Sequence, residues 1–145
     1  MRAMVDIRIV QGDALARVAD FYKLVGYGGA VSEADITLAA DANGCMAGAV
    51  RLCDEDGVIV LRGMQVDPAF QRQGIGRSLL MHCMSYLEGR TAYCLPYAHL
   101  AAFYGAGGFE PVPPDTLPGF LAARLAGYLA AGQEVLAMRR AGSPG

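Results

Sequence analysis

Apolar and polar positions along this chain follow two periods, and the switches between them outline its elements. Val5 to Val10 alternates and predicts a strand. Asp13 stands where a helix cap is expected, and Leu15, Val18, Ala19, Tyr22 and Val25 follow at helical spacing. Three glycines between Gly26 and Ala30 break that pattern and predict a loop or a broken helix. A meander comes next. Asp35 to Ala40, Cys45 to Cys53 and Val58 to Val66 read as strands, separated by the turns Asp41-Ala42-Asn43-Gly44 and Asp54-Glu55-Asp56-Gly57. Gly63 interrupts the last of these strands, as at a bulge or a close backbone approach by a ligand. Asp67-Pro68 ends it, because proline cannot donate to a ladder.

Gly74 to Glu88 predicts a helix with the apolar stripe Ile75, Leu79, Cys83, Met84 and Leu87. Thr91 to Leu95 then reads as a strand. The resulting strand–loop–helix–strand unit implies parallel pairing through a right-handed crossover. Ala98 to Ala106 reads as a short helix and Phe109 to Val112 as a brief strand. Leu117, Leu121, Leu125, Tyr128 and Leu129 mark a further helix ended by Gly132, and Glu134 to Met138 a last strand. Residues 1–140 are expected to form a single domain of mixed α/β class, with 141–145 a flexible tail.

Composition narrows the function classes. The chain has 145 residues, 54% hydrophobic and 18% charged, which excludes disorder. A net charge of −2 gives no general attraction to nucleic acid or to anionic membranes. No apolar run approaches the ~20 residues of a membrane span. The start, MRAMVDIRIV, lacks the apolar region of a signal peptide, so a cytoplasmic location is expected. Cys45, Cys53, Cys83 and Cys94 show no C-x-x-C spacing, and the only histidines are His82 and His99. No metal site is expected, and the cysteines read as buried apolar residues.

The chemistry concentrates in VDPAFQRQGIGRSLL, Val66 to Leu80. A strand ends, a polar loop follows, and Gly74 and Gly76 sit at a helix start. First-turn amides lack intrahelical partners and, with the helix dipole, form an anion site. The two glycines keep side chains out of the way, and Arg72 and Arg77 add positive charge on both sides. A pyrophosphate fits this arrangement. A phosphate-binding P-loop is disfavoured, since Arg77 replaces its lysine and no glycine lies five residues before Gly76. A dinucleotide-binding oxidoreductase is disfavoured because Leu79 replaces the third glycine.

Gln71-x-x-Gly74-x-Gly76, preceded by a strand and Asp67-Pro68, resembles the acetyl-CoA motif of the GNAT N-acetyltransferase superfamily. Phe103-Tyr104-Gly105-Ala106-Gly107-Gly108-Phe109 resembles that family's second signature, F-Y-x-x-x-G-F, at family spacing. The order of elements matches over nearly the whole chain. The resemblance implies a curved, mostly antiparallel sheet of about seven strands, with a central splayed parallel pair and helices on both faces. It implies acetyl-CoA as co-substrate, no metal, and a small-molecule or peptide amine as acceptor, in a protein that is a candidate homodimer. Cofactor contacts are then expected from Met64, Gln65 and Val66 on the fourth strand and from Gln71, Arg72, Gln73, Gly74, Ile75, Gly76 and Arg77 in the loop. Tyr104 matches the tyrosine that protonates the departing thiolate.

Two positions depart from the pattern. Tyr97 stands where the family often has Asn, and Leu100 where it often has Ala, which bears on contacts to the pantetheine arm. The strand VIVLRGMQV has no acid that would serve as general base, leaving Glu33, His99, Glu110 or water. These gaps motivate an alternative: an acyl-CoA-binding sensor or interaction module of the same fold with little turnover. Cys94 reads as a packed thiol before a nucleophile, and His82 as structural. Tyr22 and Tyr27, beside the glycine-rich loop, are candidates for the acceptor pocket or for packing.

Overall fold

The computed structural model describes residues 4–143. Among the described residues seven strands form a mixed sheet, accompanied by four helices. Two compact units are distinguished, Met1–Glu88 and Gly89–Gly145.

The first unit is an antiparallel meander of β1 (Val5–Val10), β2 (Ile36–Ala42), β3 (Cys45–Glu55) and β4 (Val58–Val66), with helices α1 (Leu15–Leu24) and α2 (Ile75–Met84). Its hairpins are tighter than the sequence suggests. Asn43 and Gly44 have φ of 52° and 81°, and Asp56 and Gly57 have 55° and 85°, so each turn is a two-residue loop with both residues left-handed. Such turns match the twist of the flanking strands. They let β2 extend through Ala42 and β3 through Glu55, absorbing residues expected in the turns.

The helices cover opposite faces of this meander. Val10, Leu15, Val18, Phe21 and Tyr22 pack with Ala39 and Ala49 on the α1 face. On the other face α2 lies close to β3: a Cβ on Gly48 would stand 2.9 Å from Leu79 Cδ1 and 3.1 Å from the Gln65 carbonyl oxygen. Asp13 does not cap α1. A 3₁₀ turn occupies Gly12–Ala14, which moves the cap position to Ala14, a residue with no side-chain acceptor.

The second unit holds β5 (Ala92–Cys94), α3 (Ala101–Gly105), β6 (Glu110–Pro111), α4 (Gly119–Ala130) and β7 (Met138–Arg140), with β7 antiparallel to both β5 and β6. The last strand therefore begins where the sequence pattern placed its end. Residues 134–137 lie outside the ladder, held by a Tyr97–Val135 bridge, by the Leu136 amide donating to the Pro96 carbonyl, and by the Glu134 and Ala137 carbonyls accepting from the Ala98 and Val112 amides, because Pro96 has no amide to continue the ladder. Gly142 and Ser143 are tied down, donating to Thr91 Oγ1 at 3.0 Å and to the Gly89 carbonyl at 2.9 Å. The remainder of the expected tail, 144–145, lies outside the described residues.

All four cysteines are free; Cys53, Cys83 and Cys94 are buried as expected, whereas Cys45, at the start of β3 beside the hairpin loop, is exposed. Burial pushes the thiols of Cys53 and Cys83 up to about 11 and about 12, and raises those of Cys94 and of the Tyr22 phenol as well. A group holding its proton more tightly when folded stabilises the fold fully below its unfolded value and loses that contribution as pH rises. Urea midpoints should therefore hold steady up to the ordinary thiol value of 9.0 and fall above it, with Cys83→Ala flattening part of the fall. Gly48→Val should lower stability by about 1–3 kcal/mol, the usual cost of overpacking, read as a drop in melting temperature.

Candidate active site

β4 is regular over its buried first half, Ile59–Leu61, and irregular beyond it. The register passes from Arg51↔Arg62 to Ala49↔Gln65, so Gly63 and Met64 together oppose Val50 in a β-bulge. Gly63 has φ of 69°, and a Cβ there would meet the Tyr22 hydroxyl oxygen at 2.5 Å. The extra residue turns Gln65 to the face on which Arg62 lies and Val66 to the other. Met64, Gln65 and Val66 are all half-buried.

Beyond β4 the chain makes a 3₁₀ turn, Pro68–Phe70, capped by Asp67 Oδ1 accepting from the Ala69 amide at 2.9 Å. The Gln71 side chain reaches back to donate to the Val66 carbonyl at 3.2 Å, fixing the loop to the strand end. The Gln71 amide itself is engaged, donating to the Pro68 carbonyl at 3.4 Å. Arg72 is held left-handed at φ 66°, a conformation rare for a side chain of its size and typical of constrained functional loops.

Gly74 caps α2 at φ 80°, with nothing within 4 Å of where a Cβ would stand. Its glycine character thus answers backbone conformation rather than crowding. Among the described residues no side chain caps α2, and its first backbone bond runs from the Ser78 amide to the Gly74 carbonyl at 3.0 Å. The amides of Ile75, Gly76 and Arg77 open this helix start. Ile75 and Leu79 are buried beneath them, while Arg72, Gly74 and Arg77 are exposed. Uncapped amides, a positive dipole end and two exposed guanidinium groups fit a diphosphate.

In the second unit Tyr104 lies on α3 and is only 6% exposed. Its ring meets Phe103 and Phe109 edge-on at 4.9 and 6.2 Å. Its carbonyl accepts from the amides of Gly107 and Phe109 at 3.0 and 3.3 Å, closing the helix within F-Y-x-x-x-G-F. The exposed side chains of Tyr97 and His99 stack with centroids 5.9 Å apart. Glu110 is exposed on β6. Glu33, in the first unit, lines a cleft of about 280 Å³ together with Asp35. Cys94 is buried with a raised pKa, as a packed thiol should be. His82 is exposed and bonds the Ser78 carbonyl through Nδ1 at 2.9 Å.

Sequence reasoning missed Arg51. This guanidinium, 4% exposed in the middle of β3, bridges Asp35 Oδ2 at 3.3 Å and donates to the Tyr27 hydroxyl at 3.3 Å. It also lies 5.7 Å from the centroid of the Tyr22 ring. The signal was available: a lone charge inside the apolar run Met46–Cys53 needs a buried partner. No helix is long and apolar enough to cross a membrane among the described residues.

A family model, Acetyltransferase (GNAT) domain, matches residues 32–111, more than half of the chain. No curated protein sequence matches it. Among solved structures, the ribosomal-protein-S18-alanine N-acetyltransferase from Escherichia coli aligns with a TM-score of 0.69 at 21% identity, covering 97% of each chain. An acyl-CoA N-acyltransferase from Pseudomonas aeruginosa aligns at 0.69 and 20%, covering 95% of this chain and 100% of that one. N-acetylglutamate synthase from Neisseria gonorrhoeae, complexed with coenzyme A and N-acetyl-glutamate, aligns at 0.66 and 20%; 99% of this chain spans only 36% of that protein. At these identities the structural likeness speaks for the fold. The family match takes in the whole segment from β2 to β6, with the uncapped start of α2 and the F-Y-x-x-x-G-F turn inside it, and on that basis the chain belongs to the GNAT acetyltransferase family.

Proposed function

We propose that the chain transfers an acetyl group from acetyl-CoA to a primary amine by direct attack, through a tetrahedral intermediate and without an acyl-enzyme. The observation that carries this reading is the α2 start, where first-turn amides have no side-chain cap. In this reading the amides between Arg72 and Arg77 bind the diphosphate of the co-substrate. The β4 segment Met64–Val66 lines the pantetheine arm and offers an amide to the thioester carbonyl. Such a donor is worth roughly 3 kcal/mol where one has been removed from other enzymes. Tyr104 protonates the departing thiolate. A phenol near pKa 10 gives its proton slightly uphill to a thiolate near 8.5, so the residue acts by position. A reducing, cytoplasmic setting agrees with four unpaired thiols.

An alkyl ammonium of pKa about 10.4 is only ~0.1% neutral at pH 7.4, which places roughly 4 kcal/mol on deprotonation. Glu33, His99, Glu110 or water takes that proton. The acceptor is an amine drawn from the class of small molecules or protein amino groups.

Free-thiol release from acetyl-CoA against a panel of amines should find turnover with at least one acceptor. Tyr104→Phe should then lower kcat by about 10²–10³-fold, a typical value for losing a positioned proton donor, while CoA affinity by calorimetry stays put. Binding without turnover on any amine would favour the sensor alternative, and no binding would remove the reading altogether. Substituting Glu33, His99 and Glu110 singly by Gln separates the bases. Loss of the acid limb of the pH–rate profile marks the base, and three unchanged profiles assign the role to water.

A further inference from the structure

The α1 face of the meander carries a buried hydroxyl that the reaction above leaves unused. Tyr22 is 1% exposed, and its hydroxyl donates to the Gly63 carbonyl at 2.8 Å. Packing alone would be met by a phenylalanine, since a buried O–H needs a partner. The partner here is the bulge of β4, and the fit is mutual, because any side chain at position 63 would collide with the tyrosine oxygen. Arg51 steadies the ring, its guanidinium 5.7 Å from the centroid and itself held by Asp35 and Tyr27.

The peptide between Gly63 and Met64 is planar, and no cis bond occurs among the described residues. Drawing the Gly63 carbonyl toward Tyr22 therefore turns the Met64 amide the opposite way, away from α1. We infer that Tyr22 is a positioning residue for acyl transfer: by holding the Gly63 carbonyl it fixes the bulge and aims the Met64 amide at the site of the thioester. This rests on the acetyl-transfer reading. It adds a residue that touches neither substrate and acts through one peptide plane.

Tyr22→Phe keeps the ring and its packing and removes the hydroxyl that makes the tether. It should lower kcat about ten-fold or more, as small misplacements near reacting atoms do, while KM and the calorimetric Kd for acetyl-CoA stay within about two-fold. Gly63→Ala reads the same contact from the other side and should also lower kcat. Because Tyr22→Phe removes the oxygen that the new methyl would strike, the double variant should lose less than the product of the two single losses. Wild-type kcat in folded Tyr22→Phe, or losses that multiply fully in the double variant, would overturn the role of Tyr22 while leaving the acetyl-transfer reading intact. A wild-type protein that neither binds acetyl-CoA nor releases thiol sinks both.

Discussion

The seating of α2 on β3 is the constraint from which the candidate site follows. A helix can rest this low only where the strand beneath offers no side chain, and Gly48 supplies that gap under Leu79. With Ile75 and Leu79 buried, the first turn cannot slide or rotate, and the amides ahead of it keep one direction. Gly74 completes the arrangement from the other end. Its left-handed φ lets the chain enter the helix without a capping side chain. An ordinary helix start, with a serine or aspartate at the cap, would spend one of those donors internally.

On the opposite face the same meander holds a buried charge beside its apolar packing. Arg51 is fully lined by protein, and a charge so placed is costly unless paired. Asp35 supplies the ion pair and Tyr27 accepts a further hydrogen bond, while Nε finds no partner among the described residues. Retaining such a residue in place of a leucine makes sense where it locks neighbouring groups in one arrangement. The groups it locks are Tyr22 and, through it, the bulge of β4.

Much of this architecture could be read from residues, and the failures have definite causes. The meander was legible because Asn-Gly and Asp-Gly dipeptides mark tight turns, although four-residue turns were expected where two residues suffice. The α2 stripe and its glycine-flanked start were legible because helical periodicity switches on abruptly after a polar loop. Asp13 misled because a 3₁₀ turn ahead of α1 shifts the cap by one residue, which composition does not encode. The last strand was misplaced because Val135 to Met138 has strand character, yet its neighbour is a proline that cannot complete the ladder. The bulge was foreshadowed by Gly63, whereas its tether to Tyr22, 41 residues away, is a tertiary fact that no local pattern announces.

The two-residue hairpin loops have a further consequence, for the route by which the chain reaches this fold. β2, β3 and β4 are joined by the shortest connections that an antiparallel sheet permits, so their pairing costs little loop-closure entropy. Hairpins of this kind close in microseconds. The three strands can therefore zip in register before α1 docks on one face and α2 on the other, and the helices meet a template already formed.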